Sequence, residues 1–285
     1  MEPELPKAIN FYPEYKEWYY KIIKEFSYDE KMDIFARDEL LEILQESPSF
    51  TQFTQNALKL RELIQKKKFI SIFGCGPSLE DVLNRIIENN ELNLLKNSTI
   101  ISADGAAVFL DEIGLRSNLI FTDLDGIPLE DFSRYVDKTD FMVVHAHGDN
   151  IRKLNKVSEI LKKSKNIIGT TQVEPESIIL NPGGFTDGDR IVFFIKNLLI
   201  PSQIQFLIGM DFGNIVGRYS KPDISKNERA TLSKVKKLEY AKKLLEWILK
   251  NSKNKTYFVG SEIISSIFQY IYPSKYIRIL KGESV

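Results

Sequence analysis

Residues 118–126 read Asn118-Leu119-Ile120-Phe121-Thr122-Asp123-Leu124-Asp125-Gly126. The apolar first half predicts a short buried strand, and two carboxylates one residue apart follow it directly. Because Gly126 lets the backbone turn, both carboxylates are expected to converge on one hard divalent cation such as Mg²⁺. Aspartate is also common in loops because it stabilises turns, and this alternative stays open for the Asp-x-Asp pair taken alone.

The same pattern, an apolar strand followed by polar residues, recurs along the chain. Strands are predicted at 69–73, 98–103, 118–121, 141–144, 166–169, 178–180, 205–209 and 256–259, with helices between most of them. This alternation predicts an α/β fold with a mainly parallel, doubly wound, Rossmann-like sheet. In such sheets ligands bind outside the carboxyl ends of the strands. The polar residues expected at that edge are Asp104, Asp123, Asp125, His145, His147, Asp149 and Asp211.

Two regions are predicted along the chain. Residues 1–66 carry apolar side chains at helical spacing and form an N-terminal helical region, in which we identify no chemistry. Residues 67–285 form the α/β catalytic domain.

Composition narrows the class of protein. The chain has 285 residues, and its 39 Lys and Arg balance its 39 Asp and Glu, so no strong basic field exists to hold nucleic acid. Cys75 is the single cysteine, and no apolar run has the roughly 18 residues of a membrane span. The first residues lack the pattern of a signal peptide. The sequence therefore predicts a cytoplasmic protein that acts on small molecules, without nucleic-acid or membrane partners; homo-oligomerisation stays open.

A glycine-rich loop, Gly74-Cys75-Gly76-Pro77-Ser78, connects a predicted strand to a predicted helix. Free N–H groups and the dipole at a helix start favour an anion, so the loop is a candidate phosphate site. It matches neither the dinucleotide fingerprint nor the P-loop. A tight strand-to-helix turn is the alternative.

The chain has two histidines, His145 and His147. A zinc pair is disfavoured because no cysteine pair accompanies them, and because strand alternation is expected to send the two rings to opposite sides. Hydrogen bonding near a substrate or phosphate is favoured instead. Asp187 and Asp189 open a predicted helix, where they can cap the helix, bind a metal, or do both.

Six short stretches, taken together and in order, resemble the archaeal-type 6-hydroxymethyl-7,8-dihydropterin pyrophosphokinases over residues 69 to about 240. The stretches are Gly74-Cys75-Gly76-Pro77-Ser78-Leu79, Ala103-Asp104-Gly105-Ala106, Thr122-Asp123-Leu124-Asp125-Gly126, His145-Ala146-His147-Gly148-Asp149-Asn150, Gly184-Phe185-Thr186-Asp187-Gly188-Asp189-Arg190 and Gly209-Met210-Asp211-Phe212-Gly213. The family is similar to thiamine pyrophosphokinase, but Gly126 stands where that relative has Ser, and Ala106 where it has a second Gly.

The resemblance implies a thiamine pyrophosphokinase-like catalytic domain that transfers diphosphate from ATP to the hydroxymethyl oxygen of the pterin, releasing AMP, in the biosynthesis of a folate-type or tetrahydromethanopterin-like cofactor. It implies Mg²⁺ at Asp123, Asp125, Asp187 and Asp189. The implied catalytic residues are Asp123, Asp125, Asp187 and His147; His147 and a metal-bound aspartate are both candidates for the base. The residues implied to contact ATP or the pterin are Gly74, Gly76, Ser78, Asp104, Gly105, His145, Asp149, Asn150, Thr186, Arg190, Arg218, Lys221, Lys234 and Lys237.

Three other functions stay open: a thiamine pyrophosphokinase-like enzyme, a metal-dependent glycosyltransferase that uses a nucleotide sugar, and a non-catalytic nucleotide-binding module. Residues 214–229 are polar and rich in turn formers. They are predicted to form a flap over the triphosphate, with Arg218 and Lys221 on phosphate. A disordered surface loop is the alternative.

Overall fold

The protein is an α/β sheet protein with helices at its N-terminus, and the computed structural model describes residues 5–261 and 265–283. Its main sheet has eight strands in the order β10-β9-β6-β1-β2-β3-β4-β5, and each pair of neighbours in it is parallel. These strands are β1 Phe69–Phe73, β2 Ser98–Ala103, β3 Leu119–Thr122, β4 Phe141–Ala146, β5 Ile167–Thr171, β6 Ile204–Ile208, β9 Lys255–Val259 and β10 Gln269–Ile271. The predicted fold class is confirmed.

The helices precede the sheet and connect its strands. Those before β1 are α1 Leu5–Ile9, α2 Tyr12–Phe26, α3 Glu30–Gln45, α4 Pro48–Thr51 and α5 Phe53–Gln65. Those after it are α6 Ser78–Glu88, α7 Ala106–Glu112, α8 Phe132–Lys138, α9 Ile151–Lys163, α10 Asp187–Ile195, α11 Leu232–Leu249 and α12 Pro273–Leu280. Among these helices of residues 5–261 and 265–283, none combines the length and apolarity that a membrane crossing requires.

The strand order places a topological switch beside β1. From β1 the chain steps outward through β2, β3, β4 and β5, then returns to the other side of β1 as β6. In strands such as Phe69–Phe73, every side chain is buried. This burial on both faces explains why most of the strands could be recognised in the sequence as apolar runs. The crevice at the carboxyl ends near this switch is where such sheets bind ligands.

One predicted strand is wrong. Residues 178–180 make only isolated bridges, Thr170 to Leu180 and Glu176 to Ile179. The reason is the reversal at Ser177, whose φ of 54° is left-handed, so that the chain folds back before a strand can form.

The N-terminal helices share a core with the sheet. Tyr15, Tyr19 and Leu60 belong to the same buried cluster as Ile70 and Leu119. The predicted boundary between residues 66 and 67 stays a prediction. A separate antiparallel pair, β7 Ile215–Val216 with β8 Glu228–Arg229, lies within the predicted flap.

Candidate active site

Three carboxylates meet at the carboxyl edge of the sheet. Asp104 follows β2, Asp123 follows β3, and Asp187 is the first residue of α10. One oxygen from each lies within 4.8 Å of the others, a spacing that suits one metal ion. We call these three residues the aspartate cluster. It contains Asp123 and Asp187 of the predicted metal ligands, and Asp104, which was assigned to substrate binding.

Asp104 is fixed by the loop after β3. Its carboxylate accepts hydrogen bonds from Thr122 Oγ1 at 2.7 Å and from the backbone N–H of Gly126 at 2.6 Å. A Cβ on Gly126 would lie 2.6 Å from the backbone nitrogen of Gly105, so this glycine permits a close approach between two loops. The left-handed turn itself is made by Leu124, with a φ of 68°.

Asp125 lies outside the aspartate cluster, although the sequence predicts that it converges with Asp123 on one metal ion. Its carboxylate lies 2.6 Å from Lys153 Nζ and 3.1 Å from Lys221 Nζ. Leu124, between the two aspartates, has a left-handed backbone conformation. In this geometry Asp125 holds two lysines beside the cluster, and its role as a metal ligand stays a prediction.

Asp189 is engaged in capping α10. It accepts hydrogen bonds from the backbone N–H groups of Phe185 and Thr186 at 2.8 and 2.7 Å, and from Thr186 Oγ1 at 2.5 Å. Both carboxylate oxygens and the Thr186 hydroxyl are therefore committed to the helix start. Of the possibilities left open for Asp189, the geometry favours the cap.

His147 contacts the aspartate cluster. Its Nε2 lies 3.5 Å from Asp123 Oδ2, and its Nδ1 accepts the backbone N–H of Asp149 at 3.3 Å. Because Nδ1 is an acceptor, Nε2 carries the proton and faces the carboxylate. Asn150 is buried and donates to the backbone carbonyls of Asp123 and His145 at 2.9 and 2.7 Å, so it joins the loops after β3 and β4. Asp149 is exposed.

His145 lies beneath His147, with ring centroids 5.9 Å apart. The expectation that the rings point to opposite sides is wrong, because residues two positions apart on an extended chain share a face. His145 Nδ1 is 3.1 Å from Thr170 Oγ1. Burial, and then the nearby charge of Arg190, lower the pKa of His145 well below its ordinary value, so this ring is neutral.

Burial dominates the electrostatics of the cluster. Together with the charges of Asp123 and Asp187, it raises the pKa of Asp104 well above that of a free aspartate. Burial and the charge of Asp123 raise the pKa of Asp187 to about 7. The pKa of Asp123 shifts in the opposite direction: burial opposes its ionisation, but the hydrogen bond with His147 lowers its pKa. Three carboxylates cannot all ionise here without a cation, and Oδ1 of Asp123 is buried with no hydrogen-bond partner among the residues that the structure describes. Such an oxygen-rich, electron-donating group suits a hard divalent ion.

Arg190 lies below the cluster. It is 3% exposed and its Nη1 is 3.1 Å from Asp187 Oδ1, so it supports that carboxylate from the protein side.

The glycine loop already contains a carboxylate. Asp211, after β6, accepts the backbone N–H of Ser78 at 3.0 Å and its hydroxyl at 2.7 Å. The N–H groups of Gly74 and Gly76 bond to the carbonyls of Ile208 and Gly209. The loop thus fits the alternative of a tight turn, and its role in phosphate binding stays a prediction.

Residues 217–221, which we call the strap, cross this loop. A Cβ on Gly105 would overlap the carbonyl oxygen of Tyr219, so the strap lies directly on Gly105. Ser220 Oγ donates to the Cys75 carbonyl at 3.2 Å, and the Tyr219 hydroxyl donates to Glu112 at 2.5 Å. This part of the predicted flap therefore packs on the loops of the site, and closure of 214–229 over a triphosphate stays a prediction.

The predicted cationic residues are placed differently from one another. Arg218 stacks on the Tyr219 ring and lies 3.7 Å from Glu80. Lys234 is close enough to Asp187 for its charge to contribute to lowering the pKa of that carboxyl. Lys237 lies 5.4 Å from the ring centroid of Tyr28 and 5.8 Å from that of Phe185.

Sequence reasoning missed Lys153. It lies on α9 among other lysines, and nothing in the sequence marks it as a partner of Asp125. It also missed that Asp104 joins the metal-binding geometry, although the strand-end position of Asp104 was the signal that could have shown it.

Comparison with known proteins assigns the chain to a family. The family model described as "6-hydroxymethylpterin diphosphokinase MptE-like" matches residues 41–217, a range that contains all three aspartates of the cluster. The chain belongs to this family. The family is one of diphosphotransferases, which agrees with a carboxylate cluster flanked by lysines.

Three archaeal relatives, each named 6-hydroxymethyl-7,8-dihydropterin pyrophosphokinase, support the assignment. The protein from Pyrococcus furiosus is 38% identical over 85% of this chain and 96% of its own length. That from Methanothermobacter thermautotrophicus is 37% identical over 82% and 93%, and that from Methanocaldococcus jannaschii 36% over 82% and 95%. Similarity therefore extends over nearly the whole of each relative.

A solved structure, the Maf glycosyltransferase of Magnetospirillum magneticum AMB-1, aligns with a TM-score of 0.44 and 11% identity. The alignment covers 84% of this chain and 42% of that one. A likeness this weak supports no inference about activity.

Proposed function

We propose that the protein transfers a diphosphate group from ATP to the hydroxyl of 6-hydroxymethyl-7,8-dihydropterin, yielding the pterin diphosphate and AMP, in the biosynthesis of a folate-type pterin cofactor. The observation that carries the proposal is the 38% identity to an archaeal pterin pyrophosphokinase across 96% of that protein. The aspartate cluster and its flanking lysines are the parts of the structure that such a reaction uses.

In this reaction the hydroxymethyl oxygen attacks the β-phosphorus of ATP. The bond between that phosphorus and the oxygen bridging it to the α-phosphorus breaks, and AMP leaves with the bridging oxygen. The hydroxyl proton passes to solvent or to a nearby base. Little covalent chemistry is left to the protein, which acts by positioning and by stabilising charge.

Asp104, Asp123 and Asp187 are the residues that would hold Mg²⁺. When bound, the ion would neutralise charge on the phosphates and polarise them toward attack. The carboxylates need such a cation in turn, because burial opposes the ionisation of all three.

The cationic side chains around the cluster serve the polyphosphate. Lys153 and Lys221 share the single carboxylate of Asp125, which leaves one excess positive charge beside the cluster. Lys234 adds a second cation near Asp187. We assign these three lysines to the ATP phosphates. His147, which presents its Nε2 proton to Asp123, orients that carboxylate and is a poor base while this proton is in place.

The test is product analysis with purified protein, ATP, Mg²⁺ and freshly reduced hydroxymethylpterin. We expect AMP in amounts equal to the pterin diphosphate, and none when either the pterin or Mg²⁺ is omitted. ADP as the nucleotide product, or no turnover of the reduced pterin, would refute the proposal. Thiamine and a sugar nucleotide are tested in parallel as alternative substrates. Turnover of thiamine would favour another diphosphotransferase, and turnover of the sugar nucleotide would favour a glycosyltransferase.

Two variants sharpen this assay. Asp123→Asn removes a carboxylate of the cluster and should abolish most of the AMP formation. Asp137→Asn makes the same chemical change at an exposed position on α8 and should leave it intact. Equal activity of the two variants at limiting Mg²⁺ would remove Asp123 from the metal site.

A further inference from the structure

A buried carboxylate in the N-terminal helices contacts the loop that carries His147. Asp33, on α3, is 3% exposed. It accepts hydrogen bonds from the Tyr19 hydroxyl at 2.9 Å, from Gln172 Nε2 at 2.8 Å, and from the backbone N–H of Gly148 at 2.8 Å. The three donors come from α2, from the chain after β5, and from the loop after β4.

All three partners of Asp33 are donors, and its carboxylate accepts from each of them. Oδ1 accepts the Gly148 N–H, and Oδ2 accepts from Tyr19 and Gln172. Burial and the adjacent Asp33 raise the pKa of the Tyr19 phenol, so its hydroxyl keeps the proton that it donates. Two side chains therefore hold one oxygen of Asp33, and the other oxygen is directed at the 147–150 loop.

The backbone of the loop at Gly148 lies directly against α3. A Cβ on Gly148 would lie 2.7 Å from the Cβ of Met32, so glycine is required for the loop to approach α3. Gly148 follows His147 directly, and His147 Nε2 lies 3.5 Å from Asp123 Oδ2. A single backbone step therefore connects the Asp33 carboxylate to the side chain that touches the aspartate cluster.

We propose that Asp33 is a positioning residue of the active site: by gripping the N–H of Gly148 it fixes the 147–150 loop so that His147 faces Asp123. Through Asp33, the N-terminal helices influence the geometry of the active site, although we assign no reacting group to them. The proposal concerns the geometry of His147 and rests on the proposed function only where turnover is measured.

The chain itself supplies the probe, because His145 and His147 are its only histidines. Ring signals of both can be followed by NMR without any substrate. We expect Asp33→Ala, which removes the acceptor of the Gly148 N–H, to shift or broaden the His147 signals more than those of His145, whose ring is buried against Thr170. Tyr19→Phe removes one donor but keeps the grip on Gly148, so it should lower stability without moving His147.

Glu25→Gln is the matched control. Glu25 lies on α2 and accepts hydrogen bonds from the Tyr240 hydroxyl and Lys236 of α11, so its loss loosens the N-terminal helices away from the 147–150 loop. Both histidines should keep their wild-type signals in this variant. Unchanged His147 signals in folded Asp33→Ala, or equal shifts in Glu25→Gln, would overturn the proposal.

A second measurement covers the case in which Asp33→Ala does not fold. In the wild-type protein the Gly148 amide should exchange with solvent far more slowly than an unprotected loop amide. Exchange of Gly148 at the unprotected rate would refute the hydrogen bond and the proposal. Turnover adds a separate readout: Asp33→Ala should lower kcat roughly 10- to 100-fold, the range found for residues that orient metal ligands, with little change in KM for ATP. If the wild-type protein shows no pterin turnover, the proposed function fails while the NMR result still decides the role of Asp33.

Discussion

Replacing Asp187 by asparagine should stabilise the metal-free protein while it abolishes activity. Asp187 lies in the aspartate cluster, where burial and the charge of Asp123 disfavour its ionised form. Asparagine keeps an oxygen that can accept the hydrogen bond from Arg190, which the wild-type carboxylate accepts at 3.1 Å. The substitution therefore removes a buried, repelled charge and little else.

The size of the effect follows from the shift in pKa. The pKa of Asp187 is about 7 in the folded protein, about 3 units above that of an unperturbed aspartate. Because the folded chain binds this proton more tightly than the unfolded one, the free energy of unfolding falls as the pH rises from about 4 through 7. The full loss is about 4 kcal/mol at pH 8. Local relaxation reduces it, so we expect Asp187→Asn to gain about 1–3 kcal/mol at pH 8 and almost nothing near pH 4.

Urea unfolding at both pH values, in the presence of EDTA, measures this gain, and Asp137→Asn on the exposed face of α8 serves as the control. Adding Mg²⁺ should stabilise the wild-type protein by mass action and the Asp187→Asn variant much less. If the variant is no more stable than the wild type at pH 8 with EDTA, the account of a strained carboxylate cluster is wrong.

Three further predictions concern the surroundings of the cluster. Asp125→Asn should lose activity but keep most of the Mg²⁺-dependent rise in Tm, because its carboxylate binds two lysines; loss of the rise would make it a ligand. Asp189→Ala should lower the free energy of unfolding by about 2 kcal/mol through loss of the helix cap, and Mg²⁺ should still raise its Tm. Gly105→Ala should displace the strap, because the new Cβ meets the Tyr219 carbonyl, and should speed proteolysis within 214–229. A non-hydrolysable ATP analogue with Mg²⁺ should slow that proteolysis in the wild type, and equal cleavage with and without it would leave 214–229 as an ordinary loop.

The sheet could be predicted because its strands are buried on both faces and therefore appear in the sequence as mainly apolar runs. Phe69–Phe73 and Phe141–Ala146 are buried at every residue, and such runs need no knowledge of distant contacts. The common edge at which the aspartates gather followed from the same reasoning, since the ends of parallel strands lie side by side.

The directions of individual side chains could not be predicted in this way. Asp104 joins Asp123 in the cluster and Asp125 does not, and the loop between the two aspartates of Asp-x-Asp contains a left-handed Leu124 that the sequence does not predict, because leucine rarely adopts this conformation. Asp33 is a single acidic residue in a helical stretch, and its three donors are 14, 115 and 139 positions away. Contacts of that range are set by packing, which a local pattern does not encode.

The carboxylate of Asp211 at the start of α6 has a consequence for how ligand affinity responds to salt. Asp211 accepts the N–H of Ser78, and backbone carbonyls accept those of Gly74 and Gly76, so the attraction for a polyphosphate is expected to come mainly from side-chain cations at the surface. Lys153 and Lys221 are each about one third to one half exposed, where mobile ions screen a charge within about 8 Å at physiological ionic strength. Nucleotide affinity in this protein should therefore decline steadily with ionic strength, whereas a backbone-lined phosphate site would be nearly indifferent to it.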